Sequence, residues 1–163
     1  MRLYGCLLAI GLGFAAKGSP AVSPPFFFIE DAPNRFLIRV PGTTAVFTPE
    51  GIEFHTGGEL VRANFQAADD VLEMQGVEPM GHANFLVGQD PSAWRTGLST
   101  YKQIRYANLY RGIDALYSGT DGRVKSEYRV SAGADPHGIQ VKYSVNLSID
   151  AEGRLHAGNL IES

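Results

Sequence analysis

Two acidic residues stand where acid–base chemistry is thinkable: Asp114 and Glu127, set in extended stretches that also hold Tyr110, Tyr117 and Tyr128. Glycoside hydrolysis needs such a pair, one carboxyl as proton donor and the other as base or nucleophile across a cleft. The residues also support a plainer reading. Asp114 follows Gly112 and can accept hydrogen bonds from nearby backbone, and Glu127 can pair with a basic neighbour across strands. A hydrolase using Asp114 and Glu127 is the least favoured of the functional readings.

Trp94 is the only Trp. With Tyr110 and Tyr117 it offers aromatic faces on which a polysaccharide can stack. The competing reading makes Trp94 a core or corner anchor that buries a large area among strands, and that reading is favoured. Four histidines, His55, His82, His137 and His156, are scattered without the three-to-five-residue spacing that lets one local element present two zinc ligands. No stretch has acids at alternate positions as a calcium loop requires. There is no Gly-rich phosphate loop, no G-x-S-x-G elbow and no Ser/His/Asp arrangement. The sequence therefore predicts no metal, no cofactor and no enzyme.

The elements that would position these residues read as strands. Short apolar or alternating runs lie at Phe26–Ile29, Arg35–Val40, Thr44–Thr48, Ile52–Thr56, Leu60–Gln66, Val71–Gln75, Tyr101–Asn108, Ile113–Tyr117, Val124–Val130, Ile139–Val145 and Leu147–Asp150. Turn residues separate them: Pro41-Gly42, Pro49-Glu50-Gly51, Gly57-Gly58, Thr120-Asp121-Gly122, and Asp150 to Gly153. Asp90-Pro91 and Asp135-Pro136 each stand two residues after a glycine, Gly88 and Gly133, and read as structural corners in which the Asp is extended and forms an Asx-type turn. Gly112 and Asp114 read as turn hardware too. Ala93–Leu98 is the one candidate helical turn, capped by Asp90-Pro91-Ser92. Short strands with regular turn signals predict an all-β fold, an antiparallel β-sandwich (jelly-roll-like or Ig-like) of about ten short strands with little helix. No repeat of 20–50 residues is present, so this chain alone is not a propeller or solenoid.

Composition bounds the rest. The chain has 163 residues, enough for one domain with a substantial core. Met1-Arg2 and the apolar run Leu3–Ala16, followed by small residues, read as a signal peptide over residues 1–21, cleaved after Gly18 or Ala21. The apolar run is too short to span a bilayer as a helix, which takes about 20 residues. Residues 22–27 read as a linker and 28–163 as the β-domain. Loss of Arg2 and Lys17 leaves 12 basic against 17 acidic residues, a net charge of −5. Such a surface carries no footprint for nucleic acid or anionic membrane. Cys6, the only cysteine, leaves with the leader, so the domain relies on its core. Asn146-Leu147-Ser148 is formally a glycosylation sequon.

The ordered string Asn84-Phe85-Leu86-Val87-Gly88-Gln89-Asp90-Pro91, Trp94, Tyr101, Ile104, Tyr106, Leu109-Tyr110-Arg111-Gly112-Ile113-Asp114, Leu116-Tyr117, Ser118-Gly119 and Gly133-Ala134-Asp135-Pro136 resembles the N-terminal domain, of unknown function, of bacterial secreted proteins that often carry SBBP (seven-bladed β-propeller) repeats. Arg35-Phe36-Leu37, Pro41-Gly42 and Thr48-Pro49-Glu50-Gly51 look like that family's opening hairpins, and the resemblance spans Phe28 to Leu155. The chain departs from it at Ile29–Asn34, at Arg111 and at Ser118, which touch turns and surfaces. The family's chains normally run on into repeats, so the resemblance implies a C-terminally truncated fragment or a stand-alone relic.

These readings converge on a non-catalytic exported β-domain, the N-terminal scaffold or interaction module of a bacterial cell-surface or secreted protein. Its expected partners are an extracellular polysaccharide or protein, or downstream β-propeller repeats. The alternative is a carbohydrate-binding module using Trp94 and the tyrosines.

Overall fold

Alternating apolar and polar residues, broken every few positions by Gly, Pro or Asp, build strands almost throughout. The structure is a computed structural model and describes residues 8–12, 26–40, 42–68, 73–120 and 123–162. Its strands are β1 (Leu8–Leu12), β2 (Phe28–Ala32), β3 (Arg35–Val40), β4 (Thr43–Thr48), β5 (Gly51–Thr56), β6 (Glu59–Phe65), β7 (Glu73–Phe85), β8 (Arg95–Tyr110), β9 (Ile113–Thr120), β10 (Arg123–Val130), β11 (Val141–Tyr143), β12 (Leu147–Ile149), β13 (Leu155–Ala157) and β14 (Leu160–Glu162). The neighbours form one sheet in the order β11-β6-β5-β4-β3-β2-β8-β9-β10-β1-β14-β13-β12, with β7 attached to β8 alone. No helix among the described residues is long and apolar enough to cross a membrane.

The antiparallel all-β architecture agrees with the sequence. The sheet curls until its two halves face each other like the layers of a sandwich. Register places Ala45 opposite Phe54, and Ile52 opposite Ala63, so their side chains line one face. Aromatic rings then meet across the curl. Phe47 of β4 lies 5.1 Å from Tyr117 of β9, and Phe65 of β6 lies 5.2 Å from Tyr106 of β8, between ring centroids. Such pairs add about 0.5–1.5 kcal/mol each beyond the area they bury. Tyr106 is fully buried, and its hydroxyl donates to the Thr48 carbonyl at 3.1 Å. A second, smaller cluster of Ile29, Leu37 and Val46 occupies the opposite face of β2–β4.

Several local features differ from the sequence pattern. Of the expected strand Val71–Gln75, the described residues Glu73–Gln75 open the longer β7, which runs on through Pro79 and Gly81 to Phe85. β7 pairs with β8 only, and an edge strand tolerates a proline that donates no ladder hydrogen bond. The expected helical turn at Ala93–Leu98 is a single 3-10 turn at Pro91–Ala93, and Arg95–Leu98 is strand because it pairs with β7. Leu8–Leu12, inside the stretch read as a leader, lies antiparallel to β10 from Leu8 opposite Tyr128 to Leu12 opposite Val124. Cys6, both cleavage positions, residues 22–25 of the linker, Pro41, Val71-Leu72 and Asp121-Gly122 lie outside the described residues.

Candidate functional site

The distal half of the β7–β8 hairpin leaves the curled sheet as an arm. Among the described residues β8 pairs with β2 at Thr100 and Tyr101 and with β9 from Gln103 onward. N-terminal to Thr100 its only strand partner among the described residues is β7. Register shifts at Pro79/Gly81 and Ala83/Phe85 bend this ribbon. The bend lays Ala83, Phe85 and Leu98 onto Ile29, Leu37 and Val46, on the face away from the main core. The Arg39 guanidinium sits 4.8 Å above the centre of the Phe85 ring, a cation–π contact that ties the arm to β3.

An ion cluster around the buried Asp31 ties the tip-side end of the arm, at Arg95, to β2 and β3. The Asp31 side chain is 2% exposed, and its Oδ2 accepts from Arg95 Nη1 at 3.1 Å. Arg35 Nη1 donates to the same oxygen, and Arg95 Nη2 donates to the Asp31 carbonyl. Asp31 Oδ1 is buried with no hydrogen-bond donor among the described residues. One step further from the tip, Asn84 Oδ1 accepts the Gly97 N–H at 2.8 Å across the ribbon.

Residues 86–94 form that tip, which combines internal hydrogen bonds with exposed apolar side chains. Asp90 is extended and its Oδ1 accepts the Ser92 N–H at 2.9 Å and the Ser92 hydroxyl at 2.8 Å. These two bonds hold its carboxyl below the usual carboxylate range. The Trp94 indole N–H donates to the Gly88 carbonyl at 3.3 Å, closing the loop. Leu86 is 58%, Val87 71% and Trp94 38% exposed. Trp94 is thus a corner anchor with an open face, and it is not part of the main core.

The other residues singled out from sequence do not join it. Tyr110 and Tyr117 are 4% and 2% exposed. The Tyr110 hydroxyl donates to the Gln140 carbonyl at 2.7 Å, and Tyr117 packs tilted against Phe47 and edge-to-face against Tyr106. A sugar platform of Trp94, Tyr110 and Tyr117 is therefore not assembled, because strand alternation turns both tyrosines inward. Asp135 repeats the Asp90 device, accepting the His137 N–H at 3.0 Å before a 3-10 turn at Pro136–Gly138. Gly133 and Gly112 take left-handed turns, at φ +87° and +74°.

Asp114 and Glu127 lie on the outer face of β9–β10, where Asp114 stands opposite Arg129 and Glu127 opposite Leu116. Asp114 Oδ2 accepts from Arg105 Nη2 at 2.6 Å and Nε at 3.1 Å, and its Oδ1 accepts the Asn108 N–H at 2.7 Å. Partial burial pushes its carboxyl up, but the Asn108 N–H and the Arg105 and Arg129 charges outweigh this and leave it below the usual range. A general acid needs the opposite shift. Glu127 is paired with Arg129 at 3.2 Å. Among the histidines, His156 contacts Asp150 at 2.8 Å and His55 lies 3.8 Å from Glu53. No group of three or more metal-binding side chains occurs among the described residues.

The arm was the feature that sequence reasoning missed. Its one local signal was the unbroken apolar run Phe85-Leu86-Val87 ahead of the Asp90-Pro91 corner. Residues 29–161, most of the chain, match the family model described as "Domain of unknown function (DUF7948)". No curated protein and no solved structure matches the chain.

Proposed function

Because the chain belongs to the family of domains of unknown function DUF7948, we propose that it is a non-catalytic, exported β-domain acting as the scaffold or interaction module of a bacterial cell-surface or secreted protein, of the kind that carries SBBP repeats. The observation that carries this reading is the braced arm with Leu86, Val87 and Trp94 open to solvent. Exposed aromatic and aliphatic side chains on a loop whose backbone is already held lose little entropy on binding, which is how interface anchors work. The ion-laced Asp114 and the outward Arg129–Glu127 pair favour a binding role over an acid–base one. The leader-like composition of residues 1–21 supports an extracytoplasmic setting, while the pairing of Leu8–Leu12 with β10 counts against removal of that stretch.

The test has two arms. The chain carrying a C-terminal tag is expressed in a Gram-negative host, and the N-terminus of the exported form is sequenced. Cleavage after Gly18 or Ala21 is expected, and uncleaved protein held in the cytoplasm would sink export. Retention of the tagged domain on cell-envelope fractions is then compared with a Leu86→Ser, Val87→Ser, Trp94→Ala variant. Equal retention would remove the arm from the reading.

A carbohydrate-binding module is the second reading, and the exposed face of Trp94 favours it. Stacking of a sugar on the indole shifts its emission to the blue and shields it from acrylamide. Unchanged emission over a panel of soluble bacterial polysaccharides eliminates this reading and leaves the protein-binding one standing.

A further inference from the structure

The curled sheet does not close, and its seam holds a cavity of about 260 Å³ away from the arm. One wall is β5 and β6, with Phe54 and Phe65; the facing wall is β9 and β10, with Tyr117 and Tyr128. Val141 and Tyr143 of β11 line it from one end of the sheet. Leu147 and Leu155, on β12 and β13, line it from the other. One polar clasp joins the two sides near this seam, where the Asn159 N–H between β13 and β14 donates to Glu59 Oε2 on β6 at 3.2 Å. Ser144 extends the β11–β6 ladder by exchanging hydrogen bonds with the Arg62 backbone at 2.9 Å. Small closed barrels fill their interiors with side chains. Here β11 and β12 terminate the sheet without pairing to each other among the described residues, and space is left between the walls.

We propose that this cavity is a binding site for a small, neutral, mostly apolar molecule, one or two fused rings in size and carrying a single hydrogen-bonding group. The volume supports the size: a dry apolar cavity of about 150 Å³ takes up benzene, and sites for drug-sized ligands begin near 300 Å³. The lining supports the neutrality. No charged side chain lines the cavity among the described residues, so an ionised ligand would lose its hydration with nothing to replace it. Hydroxyls supply the polar contact, on the lining residues Tyr117, Ser126, Tyr128 and Tyr143. Tyr117 and Tyr128 are hydrogen-bonded to each other, and burial pushes the Tyr117 phenol well above its usual range, so it stays protonated. Aromatic walls give a flat ring edge-on and face-on contacts at once.

The test uses the full chain with 1-naphthol, naphthalene and 1-naphthoate as probes, followed by equilibrium dialysis. Saturable one-to-one binding of 1-naphthol is expected, with 1-naphthoate at least about tenfold weaker. Ala63→Leu fills the cavity and abolishes binding. Should that variant not fold, Tyr117→Phe decides: it keeps the ring, weakens 1-naphthol about tenfold and leaves naphthalene unchanged. The Leu86→Ser, Val87→Ser, Trp94→Ala chain binds as the parent does. The proposal is overturned if 1-naphthol does not saturate, if it binds a folded Ala63→Leu chain unchanged, if Tyr117→Phe leaves the preference for 1-naphthol intact, or if binding disappears with the arm residues. The last outcome would mean that the probe sits on the exposed tip.

Discussion

Replacing Asp114 separates a structural carboxylate from a catalytic one. Asp114→Ala removes the acceptor of three hydrogen bonds, from Asn108 N at 2.7 Å and from Arg105 Nη2 and Nε at 2.6 and 3.1 Å. The Asp114 and Arg105 side chains are 24% and 40% exposed, so their ion pair is screened and contributes about 0.5 kcal/mol. The backbone bond contributes more. Asn108 stands at φ +54° in the irregularity between Tyr106 and Tyr110, a conformation held in place by Asp114 on one side and by the Gly112 N–H on Asn108 Oδ1 on the other. A hydrogen bond to a charged acceptor is worth about 1.5–3 kcal/mol, and solvent access at Asn108 brings this to the lower end. The expected total loss is about 1.5–2 kcal/mol, a fall in Tm of roughly 3–8 °C. Asp114→Asn keeps a carbonyl for Asn108 and loses only the charge, so it costs about 0.5–1 kcal/mol. Urea unfolding followed by circular dichroism reads both.

The pH dependence supplies a second readout of the same variant. The Asp114 carboxyl lies below its ordinary value in the folded chain. Its contribution is therefore complete above the unfolded carboxylate value of about 3.9 and disappears as the pH falls through the lower folded value. The gap between parent and Asp114→Asn closes over that interval. A loss below about 0.5 kcal/mol for Asp114→Ala, or a gap that stays constant from about pH 7 to about pH 2, would refute the reasoning.

Three further outcomes follow from the geometry. Asp31→Ala strips two half-exposed guanidiniums of a shared, buried carboxylate; it is expected to cost about 2–3 kcal/mol and to speed proteolysis within residues 86–94, and unchanged cleavage there would show that the cluster does not brace the arm. Gly112→Ala forces a side chain to φ +74° with its Cβ 3.0 Å from that of Ala134, a loss of about 1–2 kcal/mol in thermal melts. Tyr106→Phe leaves the Thr48 carbonyl without its buried hydroxyl donor and is expected to lower stability by about 1–2 kcal/mol with no change in the far-ultraviolet spectrum.

Local chemistry made some features readable in advance. The Asp-Pro corners are legible because an Asp before Pro is pushed to extended backbone, and its side chain then reaches the N–H two residues on, as Asp90 and Asp135 both do. The hairpins β4–β5 and β5–β6 follow from alternation and Gly-containing turns. The structural role of Asp114 was readable from its place just after the Gly112 turn, although its long partner Arg105 was not.

The arm was hidden because its own sequence argues against it. Gly76, Pro79 and Gly81 interrupt the apolar pattern, and only pairing with β8 makes them a strand. The Gly76 site even accommodates the Tyr101 ring, which lies where a Cβ would stand. The apolarity of Trp94 suggested a core. Whether it reaches one depends on where residues 83–98 dock, and that is set by Ile29, Leu37 and Val46 and by Asp31, which is 64 residues from Arg95.

What the sequence determined by itself was the class of fold, since period-two patterning and turn chemistry act between near neighbours and need no tertiary partner. Which tyrosines are buried, which aromatic stays open and where space remains were decided only when the sheet curled. Those properties depend on which face of each strand is covered, and the covering segments lie far away along the chain.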